Sequence, residues 1–438
     1  MIEHWQPNAT LNAGVCKNAS GGAYAPWQNG RWDIDSGGLY NGMVRPFLNM
    51  TMKGALWYQG ENNAFQCHGA NSAAQNGKDS GGPNACGSVG DATGYACMMK
   101  NLVETWRAGW SAEAGTTEAA FPFGIVSLAG GTSEGHAQNM GAFRYAQLGS
   151  TGLLPNAAMP NTFAAQAFDA GDPCAGGSQC CLNNKDGQGG WPCESGEAPY
   201  TGQFMGGIHP RVKKIVGTRL AKAARALVYG DGGVVWTGPV LESCALDGGG
   251  LTLKFDREKM LEDVIQVLAG TVAGIDLSRS PGGAGAWTAD QLMLLQQFGS
   301  SSPLEIQLNG AAHGELSDGV WLPVALQEKC SNTPNRDSMN PGQGGCTWNY
   351  TSGAKLAGWD EVHVPLGGLG VLQQNITGVR YAWGGNPCCP GVDRFMIPCP
   401  PNSCPIQTFN TSMPAPPFWA TISQGRCDWI SLKGPPPK

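Results

Sequence analysis

The sequence predicts a parallel α/β domain over residues 1–230 followed by a mainly β domain over residues 231–438. Up to residue 230, short apolar runs alternate with amphipathic helical stretches, the pattern of β–α–β units. After the segment GDGGVVWTGP, short strand-like runs alternate with Gly-rich turns. With 438 residues the chain is also longer than one ordinary core, so two domains are expected.

Residues 1–36 are rich in Asn, Gly and Trp and read as loop. Leu39 to Met50 has helical apolar spacing interrupted by Pro46. GALWYQG, residues 54–60, is a short apolar run closing on a glycine, hence a strand delivering a turn. Residues 65–95 read as a long loop. Met98, Leu102 and Trp106, at i, i+4 and i+8, predict a helix over 96–110. FPFGIVSLAG, residues 121–130, predicts a buried strand, residues 141–149 a helix, and Phe163–Phe168 a strand ending at Asp169. A Cys- and Gly-rich insertion fills 171–203. The clearest helix lies within 208–230, where Val212, Ile215, Val216, Leu220, Ala223, Ala224 and Leu227 form one apolar face and Pro210 sits where helix starts tolerate it. In the second half LTLKFD, VIQVLAG, LEIQLNG, VHVPLG and GVRYAWGG are predicted strands.

Hydrophobic residues make up 41%, the balance of a globular chain. The 66 glycines and 30 prolines predict many turns. Net charge is −6 and no basic stripe is present, which argues against a nucleic-acid partner. No apolar run approaches the roughly 20 residues of a membrane span. The sixteen cysteines show no C-x-x-C pair and no zinc-finger spacing, and Cys180-Cys181 and Cys388-Cys389 suit a disulfide framework. Together with N-x-S/T sequons at Asn8, Asn18, Asn49, Asn349, Asn375 and Asn410, they point to a secreted or lumenal setting. The start MIEHWQP lacks the basic and apolar regions of a signal peptide, so an incomplete N-terminus is expected.

Three segments carry chemistry. Gln59, Gly60, Glu61 and Asn63 lie in the turn after the 54–60 strand, at the sheet edge where open α/β folds bind ligands. Their amides and the glycine backbone suit stabilisation of an oxyanion. His209, before the clearest helix, is placed to act as a general base. Asp169 or Asp172, after the 163–168 strand, can orient that imidazole. No G-x-S-x-G motif occurs, and Ser133 has no elbow context and reads as a surface serine. Trp5, Trp27, Trp32 and Trp57 are candidates for stacking on sugars.

These residues sit in a longer resemblance. LYNGMVRPFLNMTMKGALWYQGENN is similar to the block of sialate O-acetylesterases that contains W-Y-Q-G-E-S-N, with Asn62 in the serine's place. The similarity continues through LVETWR, FPFGIVSL, MPNTFAAQAFDAGD, IHPRVKKIVGTRLAKAARALVYG, VRYAW and MPAPPF. It implies an SGNH-hydrolase α/β domain with an accessory β domain, a Ser-His-Asp site, and removal of O-acetyl esters from sialic acids or other acetylated carbohydrates. His209 matches the catalytic histidine, and Gln59, Gly60 and Asn63 match the oxyanion block. No metal or organic cofactor is implied. The resemblance places the nucleophile in a G-Q-S-N-M block ahead of residue 1. Where many SGNH enzymes carry Asp three residues before the histidine, this chain has Gly206, which leaves Asp172 or Asp169 as the acid. A glycan-binding protein that kept the fold without catalysis is the competing expectation.

Overall fold

The computed structural model describes residues 2–17, 37–64, 86–130, 140–170, 208–210, 213–247, 249–261, 263, 265–267, 304–308, 320–323, 327–330, 346–349, 355–356, 360–366, 373–383, 387–388, 404 and 406–433. The first half contains helices α1 (Asn8–Asn12), α2 (Glu61–Ala64), α3 (Gly94–Ala114), α4 (Met140–Gln147) and α5 (Lys214–Leu227). Its strands β1 (Ala55–Trp57), β2 (Phe123–Ser127) and β3 (Thr162–Gln166) form a parallel sheet in the order β1-β2-β3, in register from Ala55↔Phe123 and Phe123↔Thr162.

Helices cover both faces, as a parallel sheet requires. α3 places Met98, Leu102, Trp106 and Trp110 on the sheet and stops at Gly115, whose left-handed φ of 65° suits a helix end. Trp106 packs on Trp57 and Phe123 at ring separations of 5.9 and 5.8 Å. On the other face α5 buries Val216, Leu220 and Ala223 against Val126, Phe163 and Ala165. The central strand β2 is buried throughout. β1 forms an edge: Ala55 and Trp57 point into the core while Leu56 is 61% exposed on the opposite face.

The second half is antiparallel. Its strands are β4 (Leu241–Asp247), β5 (Gly250–Phe255), β6 (Ile265–Val267), β7 (Leu304–Leu308), β8 (Val320–Pro323), β9 (Gln327–Cys330), β10 (Cys346–Asn349), β11 (Lys355–Leu356), β12 (Glu361–Pro365), β13 (Ile376–Tyr381), β14 (Ile406–Thr408), β15 (Phe418–Ser423) and β16 (Arg426–Ile430). Nine of them form one sheet in the order β11-β12-β5-β4-β16-β15-β13-β7-β8; β14 pairs with β6 and β10 with β9. Leu251, Leu253, Phe255, Ile306, Val379 and Phe418 fill its core. A short α-helix, α6 (Arg257–Met260), is capped by Asp256, whose carboxylate accepts from the backbone N–H groups of Glu258 and Lys259. The architecture is therefore the predicted one, a parallel α/β sheet followed by a mainly β region.

Two local expectations change. Ile2–Trp5 forms a 3-10 turn followed by α1, where loop was expected. Tertiary contacts order it: Trp5 lies edge-on to Trp57 at 5.9 Å, and Ile2 is fully buried. The Tyr40–Val44 stretch is a π-helical turn running into a 3-10 turn at Arg45–Phe47, because Pro46 cannot donate to a regular helix.

The halves meet at α4. Gly141 donates its N–H to the Trp383 carbonyl at 2.8 Å, and a Cβ on Gly141 would sit 2.5 Å from the Trp383 ring. Arg144, fully buried, donates to the carbonyls of Leu128 (2.7 Å) and Ala382 (3.4 Å). Disulfides Cys16–Cys97, Cys244–Cys427 and Cys388–Cys404 close the described part, and Cys86 is disulfide-bonded as well. The Cys180-Cys181 pair lies outside the described residues. Among the described residues no helix is long and apolar enough to cross a membrane.

Candidate active site

The turn after β1 is held from three directions. Gly60 has a φ of +145°, and a Cβ there would lie 2.6 Å from the Phe143 ring, so only glycine fits. The Gln59 carbonyl accepts from Gln147 Nε2 at 3.2 Å, while Gln147 Oε1 accepts the Leu128 N–H at 3.0 Å. A single buried amide on α4 thus ties the end of β1 to the end of β2. Asn63, 1% exposed, accepts the Ile2 N–H on Oδ1 at 2.8 Å and donates Nδ2 to both carboxylate oxygens of Glu3, at 3.2 and 3.1 Å. Its amide is thereby directed at the N-terminal segment.

Glu61 opens α2 and folds back. Its Oε2 accepts the Gly60 N–H at 2.8 Å, and its Oε1 lies 3.8 Å from His209 Nε2. The two side chains are only 14% and 16% exposed. His209 reaches this position between two buried neighbours, Ile208 and Pro210, just ahead of α5. Lys213 fastens the same segment to the strand end, with Nζ 4.2 Å from the centre of the Tyr58 ring. The Tyr58 hydroxyl finds no hydrogen-bond partner among the described residues, and burial, followed by the Glu61 charge, pushes its pKa well above the ordinary tyrosine value. Gln59 Oε1 is likewise buried without a partner among the described residues. The structure therefore brings His209 to the 59–63 turn, at the C-terminal end of a parallel sheet.

The two aspartates differ. Asp169 is committed to a bidentate pair with Arg219 of α5, at 2.6 Å on each oxygen, with both side chains almost fully buried. Asp172, Gly206 and Ser133 lie outside the described residues, as do Trp27 and Trp32. Of the proposed sugar-stacking tryptophans, Trp57 is 4% exposed and packed among Trp5 and Trp106 in the core, which corrects that expectation for Trp57. Strand alternation is the reason: Trp57 faces α3, opposite to Leu56. Sequence reasoning missed Gln147 and Arg219. Arg219 had a signal, since it interrupts the apolar face of α5 between Val216 and Leu220; Gln147 had none.

No protein-family model matches the chain. Sialate O-acetylesterases from Pongo abelii and Homo sapiens are each 30% identical to it over 248 residues, which is 56% of this chain and 37% of the relative. That from Mus musculus is 31% identical over 224 residues, 50% of this chain and 32% of the relative. The chain thus spans little more than a third of the length of the curated relatives it matches. A carbohydrate acetylesterase structure from Xanthomonas citri aligns with 96% of this chain and 58% of its own at 20% identity and a TM-score of 0.45. Over the stretch it shares with them, this chain is similar in sequence to the sialate O-acetylesterases.

Proposed function

We propose that the chain forms part of a hydrolase that removes O-acetyl esters from carbohydrates, sialic acids among them, by acyl transfer. The proximity of His209 to Glu61 at the strand-end turn, both largely shielded from water, is the observation that carries this reading. In it, His209 takes the proton of a serine hydroxyl as that oxygen attacks the acetyl carbonyl, then returns it to the departing sugar oxygen. The nucleophile is a serine of the G-Q-S-N-M block of the resemblance. Glu61 stabilises the imidazolium that forms. The Gln59 side-chain amide provides the donor for the developing oxyanion, Gly60 lets the backbone turn there while its own N–H goes to Glu61, and Asn63 braces the turn through Ile2 and Glu3. Asp172 is the aspartate assigned to the imidazole, since Asp169 is spent on Arg219. Division of the chain into domains at residue 231, and a secreted or lumenal location, belong to the same proposal.

Acetate release from 9-O-acetylated sialic acid and from an aryl acetate, by polypeptide carrying the serine block, tests it. His209→Ala is expected to lower kcat by about 100-fold or more. Equal activity in that variant removes His209 as the base. Glycan binding without any acetate release favours the non-catalytic reading.

A further inference from the structure

The β1–β2 ladder ends at Trp57↔Ile125, and a side chain stands where a later rung would form. Ala55 donates its N–H to the Pro122 carbonyl at 3.0 Å, and Ala55 is the register partner of Phe123. In a parallel ladder of that slant, each such β1 carbonyl takes the N–H one residue beyond its β2 partner. Carried two residues past Trp57, the same pattern would join the Gln59 carbonyl to the Leu128 N–H. Those two groups are joined, but only through Gln147. Its Nε2 donates to the Gln59 carbonyl at 3.2 Å, and its Oε1 accepts the Leu128 N–H at 3.0 Å. One side-chain amide is thus inserted into the place of one main-chain hydrogen bond. Gln147 is fully buried at the end of α4, where an amide is costly unless it is hydrogen-bonded. The same helix face touches the turn a second time. Phe143, one helical turn earlier, fills the space beside Gly60, where a Cβ would lie 2.6 Å from its ring.

We propose that Gln147 is a positioning residue, a spacer that holds the C-terminal ends of β1 and β2 one amide apart and so keeps Gln59 directed at the ester. The proposal deepens the acyl-transfer reading above and rests on it for its catalytic half. Gln147 touches no reacting atom. It fixes the Gln59 carbonyl, hence the peptide plane between Gln59 and Gly60, and with that plane the root of the Gln59 side chain. Without the spacer the Gln59 carbonyl closes on the Leu128 N–H and the ladder gains its rung. The side-chain donor is then carried away from the oxyanion it has to meet, and a displacement of about 1 Å is enough to cost roughly 100-fold in rate.

The test uses polypeptide carrying the serine block, with an aryl acetate as substrate. Gln147→Met keeps the volume and removes the amide. Its kcat is expected to fall about 10- to 100-fold, with KM changed by less than about threefold. The Leu128 amide is expected to stay protected from hydrogen exchange in that variant, because it bonds to Gln59 directly. In Gln147→Glu the protonated carboxyl offers the donor and acceptor pair of the amide, whereas the carboxylate has no donor for the Gln59 carbonyl. Its kcat relative to the parent's is therefore expected to climb about tenfold as the pH is lowered from about 8 to about 5. Gln147→Glu also carries the test if Gln147→Met does not fold. Cys244→Ser with Cys427→Ser lowers stability away from the site and is expected to leave kcat unchanged. Rapid exchange at Leu128 in Gln147→Met overturns the spacer. A kcat in Gln147→Met equal to the parent's, or a Gln147→Glu ratio that stays low and flat with pH, overturns the positioning role. A parent that releases no acetate sinks the acyl-transfer reading instead. Exchange at Leu128 then decides the spacer by itself: protection in Gln147→Met supports it, and loss of protection overturns it.

Discussion

The two halves are held together by different means. The antiparallel half rests on a continuous ladder of nine paired strands with a disulfide, Cys244–Cys427, joining β4 to β16. Among its described residues the parallel half has three short strands, and polar side chains do much of the joining. Gln147 links two strand ends, Arg144 reaches across to residue 382, and Asp169 with Arg219 clamps the end of β3 to α5. Short parallel strands leave their ends open, and those ends are where the 59–63 turn and His209 sit. The lesson is that the half carrying the proposed site depends, among the described residues, on individual buried polar contacts rather than on a repeated ladder.

Breaking one such contact should therefore produce the largest loss. Arg219→Met leaves the Asp169 carboxylate buried without its cation, and a cost of about 3–5 kcal/mol is expected in denaturant unfolding. Adding Asp169→Leu to that variant should recover much of the loss, because the uncompensated charge is gone. If the single variant is as stable as the parent, the contrast between the halves fails. In the antiparallel half, Cys244→Ser with Cys427→Ser opens a crosslink spanning 183 residues in sequence. A loss of about 2–4 kcal/mol is expected there, read in the same titration. The junction is tested by Gly141→Ala, which pushes a methyl against the Trp383 ring; about 1–3 kcal/mol is expected, with a change in tryptophan fluorescence. The smallest effect belongs to Asp256. Burial opposes its ionisation, but the Lys259 and backbone hydrogen bonds prevail and hold its pKa below the usual carboxylate value. Its stabilisation is present above the unfolded-state pKa and is lost as pH falls through the lower folded value. Asp256→Ala should cost about 1 kcal/mol at neutral pH and correspondingly less in strong acid, measured by thermal unfolding across pH.

Periodic segments were legible in advance. The i, i+4, i+8 apolar rows of α3 and α5 and the short runs at β1, β2 and β3 write their burial directly into the sequence. The clamp on the 59–63 turn was not legible, because its parts come from α4, α3 and the first turn, and only the closed fold places Phe143, Tyr95 and Glu3 around residues 60–63. Order in Ile2–Trp5 was missed for the same reason: its helicity comes from packing on Trp57, not from local propensity. The proximity of His209 to Glu61 could be anticipated only as two strand-end segments of one sheet; that the carboxylate also takes the Gly60 N–H follows from a φ that a string of letters does not display.

Helix α4 is eight residues long and answers to both halves at once. Its first turn leans on the backbone of Trp383, its middle sends Arg144 to residue 382, and its last residue grips the carbonyl of Gln59. A shift of the 382–383 corner therefore has a direct route through this helix to the 59–63 turn. Distant substitutions around that corner should displace the Gln59 carbonyl before they unfold the chain.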